Sequence, residues 1–216
     1  AVKKLHPEVK FAGGPAIENG FYYDFDTDYR FSEEDFAKIE KEMRDLIKSN
    51  GRFEQRNVSL DEAKEIFAAQ PYKMEWLNDY DAAGEQLSIY TFRDFVDLCR
   101  GPHVESSKDL PRDSFKIRSV AGAYWKGDSK NKMLQRIYVD AFETKEDLDN
   151  FLKMQEEAAA RDNRKLGKDM DLFHFEPDYA PGAVFWHDKG YKIYRKLIEF
   201  VRARQEMAGY QEISTP

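Results

Sequence analysis

Between Leu87 and Phe142 the residues that favour extended backbone come in short, closely spaced runs: SIYTF, FVDLC, SFKIRS, VAGAYW and MLQRIYV. A mostly antiparallel sheet is the simplest account of them. Helical segments flank this stretch. Ser32 and Asp35 have the spacing of a capping box, Phe36, Ile39, Met43, Leu46 and Ile47 follow at helical intervals, and Asn50-Gly51 supplies a stop. Ser59 opens a second helix with Ala63, Ile66 and Phe67 on one side, after a short strand over Phe53 to Val58. Upstream, Val9 to Phe25 reads as an extended pair around Glu18-Asn19-Gly20, with Asn-Gly as a hairpin turn whose two central residues take positive φ.

Thr144 and Asp147 repeat the capping box, and Leu148, Phe151, Leu152, Gln155 and Ala159 carry a helix to about Arg161. Beyond it lie a Pro/Gly-punctuated stretch, EPDYAPGAVFWHDKG, and an amphipathic helix from about Tyr191 to Met207 that stops at Ala208-Gly209. The closing YQEISTP reads as the start of a strand. The fold class is α+β. A domain over residues 1–143, a linker helix over 144–160 and the opening of a larger domain over 161–216 are expected, because so short a tail cannot enclose a core of its own.

No apolar run approaches the roughly 20 residues of a membrane helix. The first ten residues, AVKKLHPEVK, have neither a signal core nor a transit composition, and one cysteine in 216 residues excludes a disulfide framework. A cytoplasmic compartment is expected. A net charge of -7 excludes bulk electrostatic capture of nucleic acid, so any such contact must use patches. Lys126, Lys130, Lys132 and Arg136 form one, and Arg161 to Lys168 another; solvated faces of an acidic protein are the competing reading.

The lone cysteine sits in FVDLCRGPHV, where Asp97, Cys99 and His103 read D-x-C-x-x-x-H. On a strand, positions 97 and 99 share a face, and a turn at Gly101-Pro102 can bring His103 back toward them. Such a group serves metal ligation, polarisation of a water, or a thiolate–imidazole pair. A packed core cysteine beside an ordinary histidine fits as well, since zinc needs three or four ligands. His6, His174 and His187 do not complete a four-ligand set with them.

GPAIENGFYYDF, FVDLCRGPHV, AGAYWKGDSKNKMLQRIY, EEAAARDNRKLGKDMDLF and PGAVFWHDKG, in that order, resemble the blocks of bacterial-type threonyl-tRNA synthetases, from within their editing domain to the threshold of their class II aminoacylation domain. The resemblance implies a proofreading site. A pocket that accepts threonine cannot strongly reject serine, one methyl smaller, because such a group is worth about 1 to 3 kcal/mol, so a second site hydrolyses mischarged seryl-tRNA. It further implies that His103, Cys99, Lys73 and Asp97 carry the hydrolysis and that Tyr23, Asp97 and Lys73 hold the aminoacyl group and terminal adenosine.

In that family Cys99 and His103 match half of a site whose other half, an H-x-x-x-H pair, falls upstream of Ala1, and His6 is no substitute for it. Related alanyl domains bind zinc through such residues, so Cys99 and His103 are candidate but incomplete zinc ligands. The ATP and zinc ligands of aminoacylation have no counterpart in this chain. The expected partners are the acceptor end of threonine tRNA, gripped by Lys126, Lys130, Lys132 and Arg136, and a second copy of the longer protein, through a segment opening at Ser214 to Pro216; neither DNA nor a membrane is expected. The chain alone is expected not to charge tRNA and to edit with an incomplete site. The alternatives are a free-standing trans-editing hydrolase and a non-catalytic tRNA-binding or dimerisation module.

Overall fold

The structure, a computed structural model, describes residues 1–214. By its internal contacts the chain divides into two compact units, residues 1–150 and 151–216. The class is α+β throughout.

The first unit contains two antiparallel sheets rather than one. In the larger, β1 (Lys10–Phe11), β3 (Gly20–Asp26), β8 (Met133–Ala141) and β7 (Phe115–Tyr124) lie in that order, with β2 (Ala16–Ile17) also paired to β3. SFKIRS and VAGAYW join as β7, with a register shift between Ile117 and Ser119. The smaller sheet orders β4 (Glu54–Asn57), β5 (Ser88–Phe92) and β6 (Phe95–Leu98).

The β2–β3 hairpin departs from the expected turn. Ile17 pairs with Gly20, so Glu18 and Asn19 form the connection and Asn19 does not take positive φ. Gly20 instead belongs to β3, at φ 147°, where a Cβ would stand 2.0 Å from the Val139 carbonyl oxygen. Close approach of β8 makes the glycine necessary, not the turn.

Helix α2 (Glu33–Lys48) follows α1 (Val2–Leu5) and starts as expected: the Asp35 carboxylate accepts the Ser32 amide at 3.0 Å. Its inner face packs Ile39 with Phe36, Met43 and Ile47 against Phe11, Phe25, Ile117, Ile137 and Val139. The stop is Asn50, which takes φ 51°. Ser59 caps α3 (Leu60–Ile66), accepting the Glu62 amide at 3.2 Å. Ala63 and Phe67 are buried, but Ile66 is exposed. Residues 63 and 67 lie one turn apart on a helix face, and 66 is rotated out of that line.

An unanticipated helix, α4 (Pro71–Ala82), buries Tyr72, Lys73 and Leu77. Leu77 joins Ala63, Phe67, Leu87 and Ile89 in a second core, while Tyr72 meets Ala12, Trp125 and Leu134 in a third.

Helix α5 (Lys145–Ala160) forms over the segment expected to be helical; Thr144 Oγ1 accepts the Asp147 amide at 3.1 Å and Leu148 is buried, whereas Ala159 is exposed. The second unit adds α6 (Asn163–Asp169), a hairpin of β9 (Phe173–Phe175) with β10 (Val184–Trp186), and α7 (Asp188–Met207). The hairpin was not anticipated. The expected closing strand is not formed over Tyr210 to Ser214, and the remainder of that segment, Thr215 and Pro216, lies outside the described residues. No helix of the described residues is long and apolar enough to cross a membrane.

Candidate active site

Three elements bring the expected residues together. Tyr23 projects from β3 of the larger sheet, Lys73 from the first turn of α4, and Asp97 from β6 of the smaller sheet. The Tyr23 hydroxyl donates to Asp97 Oδ2 at 2.6 Å, and Lys73 Nζ donates to the Tyr23 oxygen at 3.0 Å while standing 2.5 Å from Asp97 Oδ1. Lys73 is only 4% exposed. A cation this deep requires a carboxylate partner, and Asp97 supplies it. Burial, then the Asp97 charge, pushes the Tyr23 phenol well above its ordinary pKa, so it remains a proton donor.

Cys99 follows directly on β6, its amide bonded to the Ser88 carbonyl at 3.2 Å. The turn expected at Gly101-Pro102 is present, with a cis peptide bond and Gly101 at φ 71°. It returns His103, whose Nε2 stands 3.1 Å from Cys99 Sγ; the Gly101 amide also reaches that sulfur, at 3.3 Å. Burial pushes the His103 imidazole below its ordinary pKa, against an opposing pull from Asp97, so the ring is neutral near pH 7.

All five residues line one cavity of about 840 Å³. Its other walls include Tyr90, Phe53, Tyr80, Trp76, Trp125 and the Gly13-Gly14 backbone. A neighbouring, more apolar cavity of about 530 Å³ shares Tyr23, Phe92 and Phe95 with it but is lined by none of Lys73, Asp97, Cys99 and His103. The polar convergence, not apolar volume, picks out the first.

Zinc fits poorly on these residues alone. Cys99 and His103 supply two donors where three or four are needed, and no cluster of three such groups occurs among the described residues. His6 packs against Tyr29 and Phe31, while His174 and His187 bond to each other at 2.7 Å in the second unit.

The basic residues of the Lys126 patch are mostly engaged internally. Lys126 pairs with Asp79 at 2.6 Å, Lys132 with Asp26 at 2.7 Å, and Arg136 bonds Asp24 through two nitrogens. Lys126 and Arg136 nonetheless line the cavity.

Sequence reasoning missed Tyr90. It pairs with Asp97 across the β5–β6 hairpin, which places both on one face, but the hairpin turns at Arg93-Asp94, with Arg93 at φ 58°. That dipeptide carries no turn signature, so the register was not readable beforehand.

Residues 87–138 match a family model described as the threonyl and alanyl tRNA synthetase second additional domain. Over its whole length the chain is 49% identical to the threonine–tRNA ligase of Rickettsia typhi, 50% to that of Clostridium tetani and 49% to that of Burkholderia mallei, in each case covering 34% of the relative. The chain thus spans about a third of the length of the curated relatives it matches.

Proposed function

From a chain that resembles threonine–tRNA ligases along its whole length and carries their second additional domain, we propose that residues 1–143 hydrolyse seryl-tRNA formed in error by a longer protein, which joins threonine to its tRNA with ATP. The observation that carries this reading is the buried Tyr23–Lys73–Asp97 group meeting the Cys99–His103 pair in one cavity.

Each residue then has a role its chemistry suits. Asp97 accepts the seryl ammonium, sharing the carboxylate that Lys73 and Tyr23 hold ready. Lys73 stabilises the negative charge that develops on the ester carbonyl oxygen. Neutral His103, aided by the histidines that the family resemblance places upstream, orients the attacking water and accepts its proton. The acyl C–O bond breaks, the terminal ribose oxygen leaves as a hydroxyl after taking up that proton, and serine departs. The acceptor end enters past Trp76, Trp125 and Lys126, where aromatic faces suit a nucleobase. Dimerisation and a cytoplasmic setting belong to the proposed longer protein.

Deacylation of seryl-tRNA, measured beside threonyl-tRNA in the longer protein, tests the reading. His103→Ala is expected to slow the seryl reaction by about a hundredfold or more. Wild-type deacylation by that variant would refute the role of His103. A salt-dependent affinity for tRNA without any hydrolysis would select the non-catalytic binding module instead.

A further inference from the structure

His103 can orient a water only if its own ring is held, and its place at the end of a turn offers no such restraint from the backbone alone. Tyr90 provides it in two ways. Its hydroxyl accepts the His103 backbone amide at 3.2 Å, and its ring lies flat beneath the imidazole, with centroids 4.0 Å apart and planes 16° from parallel. Phe53 closes the ring edge-on, at 5.6 Å. Tyr90 is itself fixed, 8% exposed on the central strand of its sheet and in register with Asp97.

Gly101 makes the arrangement possible. A Cβ there would stand 2.2 Å from the Tyr90 hydroxyl oxygen and 2.9 Å from its ring, besides requiring φ 71° of a residue that carries a side chain. The missing side chain is therefore the space that the tyrosine occupies.

We infer that Tyr90 is a positioning residue, which aims the His103 imidazole at the reacting water by stacking beneath its ring and tethering its amide. The inference rests on the editing reading for its chemical consequence, though not for the geometry. The groups facing His103 are Tyr90 from β5, Asp97 and Cys99 from the β6 arm, and Phe53 ahead of β4.

Two variants separate tether from stack. Tyr90→Phe keeps the ring and removes the hydroxyl; Tyr90→Leu removes both. In the longer protein, Tyr90→Phe is expected to lower kcat for seryl-tRNA about fivefold, the scale of one net hydrogen bond, with KM unchanged. Tyr90→Leu should approach the about hundredfold loss of a displaced acid–base group. In the 216-residue chain, NMR relaxation should report greater motion of the His103 ring in Tyr90→Phe, which loses the tether, and more still in Tyr90→Leu, which loses the stack as well. Circular dichroism checks that each variant is folded, and the milder Tyr90→Phe keeps the test valid should Tyr90→Leu unfold.

Ring motion of His103 unchanged in folded Tyr90→Phe and Tyr90→Leu would overturn the inference, as would a loss confined to KM. Should the wild-type protein fail to deacylate seryl-tRNA, the editing reading falls, and the ring motion still decides whether Tyr90 holds the ring.

Discussion

An ammonium group has three hydrogens to place and nothing to accept with, and at Lys73 two of its contacts are the Tyr23 oxygen and Asp97. Lys73→Met would leave the Asp97 carboxylate without its cation in a largely enclosed site. The expected cost is about 3 kcal/mol in urea unfolding, the range for breaking a buried pair. Adding Asp97→Asn should recover part of it, and a simple sum of the two single losses would show that the residues are not coupled. His103 supplies a second residue-scale prediction. Burial lowers its pKa and the Asp97 charge raises it, so the ring should titrate below its ordinary value in the wild type and lower still in Asp97→Asn. An upward shift in Asp97→Asn would reverse the assigned sign.

At the scale of elements, the capping box of α2 makes a pH-dependent contribution. Burial pushes Asp35 up, but bonds from the Ser32 amide and the Tyr29 hydroxyl outweigh it and hold the carboxyl below its ordinary range. A depressed folded pKa means the unfolded chain binds the proton first. The stabilisation is therefore complete above about pH 4, the unfolded aspartate value, and is lost as pH falls through the folded one. Asp35→Asn should remove part of this acid dependence and fray the first turn, read by amide exchange at Ser32 and Phe36; unchanged exchange would exclude the capping role. The same box was legible in the sequence because its partners are three residues apart. Helix α4 was not, since its buried residues Tyr72, Lys73 and Leu77 answer to three different neighbours and follow no single apolar stripe.

Over the whole molecule, burial is distributed unevenly. Every hydrophobic side chain in the three cores precedes residue 150, and among the described residues from 151 onward only Gly167 and Gly190 are buried. Residues 1–150 produced alone should unfold in one cooperative urea transition, and residues 151–214 alone should show none. A cooperative transition in the latter would contradict this account. Charge acts at this scale too. Since Lys126, Lys132 and Arg136 are already paired with acids, the tRNA affinity proposed above should fall gently with salt, at a slope equivalent to only a few displaced counterions. A steep slope would mean those pairs open on binding.

Local spacing was enough to read the α+β class, the strand runs, both capping boxes and the turn that returns His103 toward Cys99, because each depends on residues a few positions apart. The family blocks added Tyr23 and Lys73 as candidate site residues, though not how they meet. Folding alone decided that Tyr23, Lys73 and Asp97, 50 and 24 residues apart in succession, share hydrogen bonds, that Tyr90 lies beneath His103, and that the Lys126 patch is mostly neutralised. Those contacts join two sheets and a helix, and the register and packing that create them depend on side chains distant in the chain.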